Sequence, residues 1–385
     1  MANIFLPRAM RIGAGALREL PGALAQSGFG APVIITDPFM AASGLLAKVL
    51  TVMEEAGIKA RVFAEAVPDP TVASVEAAAA FVRKGNHDCV IGFGGGSSID
   101  TAKAVGVLAA RGGPIRALKA PHEENTPGMP VIAIPTTAGS GSEATRFTII
   151  TDQATDEKML CIGLAYLPVL AIVDYELTIS KPLRLTADTG IDALTHAIEA
   201  YVSRLANPFS DGMALSAMRL IWPNLRHVCE EPGNRPAREA MMVGSLQAGI
   251  AFSNASVALV HGMSRPIGAH FHVAHGLSNA MLLPVVTAWS APSATIRYAE
   301  CARAMGIADA REGNQSAVAR LVEALRQVNH DLDVPTPKTY GIEEAKWTAL
   351  LPLMSEQALA SGSPGNNPRV PDAKTIQLLY REAWD

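Results

Sequence analysis

Four of the chain's nine histidines, His261, His270, His272 and His275, fall within fifteen positions of one stretch, LVHGMSRPIGAHFHVAHGLSNA. Upstream, TGIDALTHAIEAYVS carries Asp192 and His196 four residues apart in a run of helical period, so both side chains share a face. A carboxylate and an imidazole at that spacing can share one divalent ion, although an ordinary hydrogen-bonded pair is the commoner use of it. His261 ends the apolar run SVALV, and His275 directly precedes Gly276 and the helix-like GLSNAMLLPVV. Two histidines fourteen apart around a Pro-Gly bend can return to one point. One Asp with three neutral imidazoles suits Fe(II) or Zn(II) and leaves room for a substrate oxygen. Any one of these histidines alone is more often a hydrogen-bonded core residue.

A second set of residues suits a nucleotide. In VIGFGGGSSIDTAKA an apolar strand runs into Gly94, Gly95 and Gly96, then Ser97, Ser98 and a helix. Glycines permit positive φ and close backbone approach, and the first amides of a helix attract phosphate. Neither this loop nor IGAGALREL near residue 13 is the GxGxxG fingerprint, and a short glycine run also serves plain strand-to-helix turns. PTTAGSGSEAT, residues 135–145, is a second loop dense in hydroxyls and glycines after a buried strand. Asp37, closing PVIITD, can accept hydrogen bonds from a ribose diol and repel the extra phosphate of NADP; capping the Asp-Pro turn is the equal alternative.

These loops need a scaffold. PVIITD, KARVFAEAV, DCVIGFGGG, PVIAIPTT and LAIVD are short β-rich runs, and SGLLAKVLTVMEEAG and TVASVEAAAAFVRKG between them have helical spacing and end in Gly. Alternating strand and helix predicts a mostly parallel, helix-covered sheet. After Leu177 the pattern becomes helical, broken by Pro and Gly. The expectation is an α/β domain over 1–178 and an all-helical domain over 179–385, hinged at TISKP with a ligand in the cleft between them.

Bulk properties narrow the function classes. The 385 residues are 49% hydrophobic and 18% charged, with a net charge of −4 and a pI near 6.2. That balance argues against general attraction to nucleic acid or an anionic membrane. No signal peptide opens the chain and no run of about 18 apolar residues follows, so a cytoplasmic protein is expected. Cys89, Cys161, Cys229 and Cys301 form no CxxC pair and read as buried thiols.

DALTHAIEAY, LVHGMSRPIGAHFHVAHGLSNA, GGGSSIDTAKA and PTTAGSGSEAT together resemble the signature segments of the iron-containing (group III) alcohol dehydrogenases, relatives of 1,3-propanediol and lactaldehyde dehydrogenases. The resemblance runs from MRIGAGALREL to NPRVPDAKTIQLLYREAW. It implies a two-domain architecture like that of dehydroquinate synthase, with a Rossmann-like N-terminal domain, and a homodimer or higher homo-oligomer. It implies metal ligands at Asp192, His196, His261 and His275, and a pyrophosphate held by Gly94, Gly95, Gly96 and Ser97. Thr136, Thr137 and Ser140 would line the cofactor, Lys158 would reach the ribose, and Asp37 would favour NAD over NADP. The reaction implied is hydride transfer between a nicotinamide and a small alcohol or aldehyde held by Fe(II) or Zn(II).

The chain also departs from that pattern. Where many members have a second histidine four residues after the first ligand it has Arg265, and Asp69 in PDPT stands where Asn is frequent. Arg265 stays protonated and cannot relay a proton, so His272 becomes the candidate relay and His270 a structural or exposed residue. Facing the pocket, Arg265 would favour an anionic substrate such as a hydroxy acid or phosphonate; turned away, it would pair with a helix acid. The rival classes are a metal-dependent hydrolase, which has no use for two glycine-rich loops, and a non-catalytic nucleotide binder with a structural metal.

Overall fold

The computed structural model describes residues 2–385 and divides into two compact units, Phe5–Lys181 and Pro182–Asp385, the chain up to Ile4 grouping with the second. The first unit opens with β1 (Ala9–Ile12), α1 (Leu20–Ser27), β2 (Pro32–Ile35), α2 (Pro38–Ala42), α3 (Leu45–Glu55), β3 (Arg61–Phe63) and α4 (Val72–Arg83). It continues through β4 (Cys89–Gly94), α5 (Gly96–Arg111), β5 (Val131–Pro135), β6 (Phe147–Asp152), β7 (Glu157–Ile162) and β8 (Leu170–Val173).

Six strands form one parallel sheet in the order β1-β8-β5-β4-β2-β3, while β6 and β7 pair as a separate antiparallel hairpin. Successive side chains of a strand face opposite ways, and both faces of this sheet are covered. Val33 and Ile35 of β2 join a core with Val75, Ala79 and Val105, whereas Ile34 joins one with Leu20, Val49 and Ile91. The order also sets the ligand end. β2 leads outward to β3, the chain then returns to lay β4 on the other side of β2, and it goes on to β5. A reversal of this kind opens a crevice at the carboxyl ends of the two strands it separates, here β2 and β4.

All five expected strands form. β1, a short edge strand, was not expected, nor were the hairpin and α2, which is only five residues long. The four cysteines are buried free thiols, as expected.

The second unit contains α6 (Leu183–Val202), α7 (Pro208–Glu230), α8 (Arg235–Ala255), α9 (Leu259–Phe271), α10 (His275–Ser290), α11 (Thr295–Ala304), α12 (Asn314–Asp331), α13 (Glu344–Ala360) and α14 (Ala373–Glu382). It has no strand. Helix α6 is its axis, burying sixteen of twenty residues. Neighbouring helices approach it closely at glycine: a Cβ on Gly190 would stand 2.4 Å from Leu225 Cδ1 of α7. Among the described residues no single helix is long and apolar enough to cross a membrane.

Candidate active site

Asp192 and His196 lie one turn apart on α6, His261 in the first turn of α9, and His275 at the first residue of α10. Each offers a ligand atom, and the four atoms lie within 4.8 Å of one another. The imidazole Nε2 atoms stand 3.9 Å (His196), 3.5 Å (His261) and 3.9 Å (His275) from Asp192 Oδ1. Four donors arranged tetrahedrally at the usual ~2.0–2.2 Å from one ion are separated by about 3.4 Å. The set therefore fits a small divalent cation in both donor type and spacing. Burial pushes the Asp192 carboxyl up, but the His196, His275 and His261 imidazoles outweigh it and hold the group well below the usual carboxylate range. It is an anion wherever the protein is folded near neutrality.

Three residues outside the expected set build this cluster. Glu199, one turn beyond His196 on α6 and 3% exposed, accepts from His261 Nδ1 at 2.6 Å, from the Ala258 amide at 2.9 Å and from the Val260 amide at 2.6 Å. One carboxylate thus caps the amino end of α9 and fixes the His261 tautomer, leaving Nε2 as a lone pair toward Asp192. Burial pushes the His261 imidazole down, yet Glu199 and Asp192 together leave it raised. Gly276 lets α10 press onto α6, since a Cβ there would stand 2.5 Å from the Asp188 carbonyl oxygen. Asn279, fully buried one turn after His275, donates from Nδ2 to Asp192 Oδ1 at 2.7 Å and lies 3.1 Å from His261 Nε2. The signal for Glu199 and Asn279 was present in the spacing, seven residues after Asp192 and four after His275, which places each on its ligand's face.

The other histidines separate from this cluster. His270 Nε2 meets Gln357 Oε1 at 2.8 Å and its carbonyl accepts from Lys346, a structural role. His272 is exposed and caps the carboxyl end of α9 in the left-handed conformation, φ 55°. Arg265, one turn beyond His261, is 8% exposed, and its Nη1 donates to Ser363 Oγ at 3.1 Å. Burial lowers its guanidinium to about 10 against the pull of the Glu199 carboxylate. Among the described residues, the side-chain partner seen for Arg265 is this hydroxyl rather than a helix acid.

In the first unit the two glycine-rich loops meet. Gly94 has φ 146°, and a Cβ there would stand 2.5 Å from Ser98 Oγ and 3.2 Å from Asp37 Oδ2. A Cβ on Gly95 would meet Thr137 at 3.6 Å, and one on Gly96 would meet Ser140 at 3.0 Å. The Thr136 amide donates to the Gly94 carbonyl at 2.9 Å. Asp37 both caps α2, accepting from the Met40 amide at 2.9 Å, and accepts from Ser98 Oγ at 3.1 Å. Lys158 pairs with Asp69 at 2.8 Å, and the Asp69 amide, at φ 49°, donates to Ser97 Oγ at 3.2 Å. The loops are stapled from beneath by Lys103 of α5. Fully buried, its ammonium donates to Ser142 Oγ (2.8 Å), Thr145 Oγ1 (2.9 Å) and the Phe147 carbonyl (2.9 Å), and burial lowers it to about 8. Beside it, burial raises the Glu143 carboxyl to about 7.

A family model described as iron-containing alcohol dehydrogenase matches residues 7–175, and one for the C-terminal part of the Fe-containing alcohol dehydrogenase family matches residues 186–384. The NAD-dependent methanol dehydrogenase of Bacillus methanolicus is 37% identical over 384 residues, 100% of both chains. The NADPH-dependent butanol dehydrogenase of Clostridium saccharobutylicum is 36% identical over 99% of this chain and 97% of its own. The crystal structure of a 1,3-propanediol oxidoreductase matches with a TM-score of 0.95 and 33% identity over 100% of both chains.

Proposed function

Because the chain belongs to the iron-containing alcohol dehydrogenase family, we propose that it oxidises a small alcohol or reduces the matching aldehyde with NAD(H), using a divalent ion held by Asp192, His196, His261 and His275. The observation that carries this reading is the convergence of three imidazole Nε2 atoms on one buried carboxylate oxygen. An ion held there would supply Lewis acidity to a substrate oxygen, and a nicotinamide bound at the glycine-rich loops would supply the hydride chemistry. The chain's own residues do the rest. Glu199 keeps His261 in the tautomer that donates its Nε2 lone pair, and Asn279 orients the Asp192 carboxylate. Gly94, Gly95, Gly96 and Ser97 offer amides at the start of α5 to a pyrophosphate. Thr136, Thr137 and Ser140 wall the same place, and Lys158 is held beside Ser97 through Asp69.

The test is absorbance at the reduced-nicotinamide band with NAD, Fe(II) or Zn(II) and a panel of alcohols. Substrate-dependent reduction is expected; no signal with any metal or alcohol rejects the reading. A hydrolase would instead cleave esters or amides without nicotinamide, and the two abutting glycine-rich loops favour the dehydrogenase.

Arg265 favours a second, narrower reading in which the substrate carries an anionic group. A guanidinium this buried, with the neutral Ser363 hydroxyl as its hydrogen-bond partner, gains from an incoming carboxylate, phosphonate or similar anion. Arg265→Ala should lower kcat/KM for an anionic hydroxy acid far more than for a neutral alcohol; equal losses would remove it.

A further inference from the structure

Two buried lysines of the first unit are held in opposite ways. Lys103 has an oxygen acceptor for each of its three N–H groups. Lys181, 7% exposed at the end of the same unit, has no such oxygen acceptor among the described residues. Its ammonium donates to the thioether of Met40 at 3.1 Å and sits 5.4 Å from the centroid of the Phe39 ring. Sulfur is a weak acceptor and an aromatic face a modest one, so this cation is poorly compensated for its burial. The carboxylate whose charge acts on it is Asp37.

The surroundings say what would complete it. Met40 joins Lys181 to Asp37, its amide donating to the carboxylate and its sulfur accepting from the ammonium, and Thr136 Oγ1 reaches the same sulfur at 3.6 Å. The group lies at the carboxyl ends of β2 and β5, beside Gly94 and Ser98 at the start of α5. In a dinucleotide-binding sheet an acid at this strand end takes the adenosine ribose 2′-hydroxyl, and a nearby cation instead accommodates a 2′-phosphate. Here the acid and the cation occur together.

We propose that Lys181 makes NADP(H) a working cofactor of this chain alongside NAD(H), its ammonium offsetting the Asp37 charge that would otherwise turn the 2′-phosphate away. The inference rests on the nucleotide reading above but concerns Lys181 alone. No metal ligand takes part, so binding can be followed without turnover.

Titrating the purified full chain with NADPH and with NADH, by the fluorescence of the reduced nicotinamide, gives the ratio of the two dissociation constants. For the unaltered chain NADPH is expected to bind within about tenfold of NADH. Lys181→Met should raise the NADPH/NADH ratio by about tenfold or more, Lys181→Arg should keep it near the starting value, and Asp37→Asn should lower it. A ratio unmoved by Lys181→Met, or an unaltered chain that binds NADH and not NADPH, overturns the proposal and leaves the dehydrogenase reading standing. Failure of both nucleotides to bind overturns the two together. If Lys181→Met does not fold, Lys181→Gln carries the same expectation.

Discussion

The glycine-rich loops of the first unit and the Asp192 cluster of the second solve the problem of positioning by different means. Around Gly94, Gly95, Gly96, Thr137 and Ser140, what matters is the absence of side chain: Gly94 has φ 146°, and a Cβ on Gly94 or Gly96 would crowd Ser98 or Ser140. Around Asp192, long side chains from three helices converge and hold one another by charge. One end depends on conformation, with a buried lysine stapling its loops, and the other on electrostatics. A substitution should therefore fail in a way that identifies the end it touches.

The largest effect should come from Asp192→Ala, which removes the only anion of the ligand set. We expect metal retention after dialysis to fall by more than about a hundredfold and activity with it, while NADH binding persists. Loss of NADH binding as well would break the separation. Next is Lys103→Met, expected to destabilise the first unit by about 3–5 kcal/mol in urea unfolding, because it strips three oxygens and the Asp100 carboxylate of a buried cation. Metal content should be unchanged. Glu199→Gln sharpens the other side: it keeps the shape and weakens the hold on His261, so metal affinity should drop about 10–100-fold, read by competition with a chelator.

The smallest effect is a slope with pH. Burial lifts Glu143 from its ordinary 4.5 to about 7, so between those values the folded chain keeps a proton that the unfolded chain has released. Its contribution to stability is fully present below pH 4.5 and is lost as pH rises to 7, at no more than about 1.4 kcal/mol per pH unit. Lys103, lowered to about 8, acts only above that window. Glu143→Gln should flatten the urea midpoint between pH 4.5 and 7; an unchanged slope would remove Glu143 as its source.

The two ends were also unequally legible from residues alone. Five of the six strands of the main sheet were visible, the inner ones because a doubly covered parallel strand is a run of β-branched apolar residues, as in PVII and CVIGFG; the edge strand β1, AMRI, was not. The hairpin FTIITD and EKMLCI was hidden because a partly exposed antiparallel pair mixes polar residues into both strands. Asp192, His196 and Glu199 share a face by spacing, yet Glu199 was passed over, since a glutamate on an amphipathic helix is ordinary until its burial is known. The sequence left Arg265 between facing the pocket and pairing with a helix acid, and gave no hint of its hydrogen bond to Ser363, ninety-eight residues away. Lys181 carried no signal, because what distinguishes it is the poverty of its surroundings.

Glu199 gives one carboxylate two duties, since the oxygens that close the start of α9 also steer an imidazole of that helix. Helices α8 and α9 meet there at a bend of 103°, with Ser256 in the left-handed region at φ 62°. The corner and the orientation of the His261 ring are consequently coupled through one side chain. A lineage that gave up the redox reaction would still be pressed to keep Glu199 for its fold, and a substitution tolerated by the corner would be screened at once by the metal.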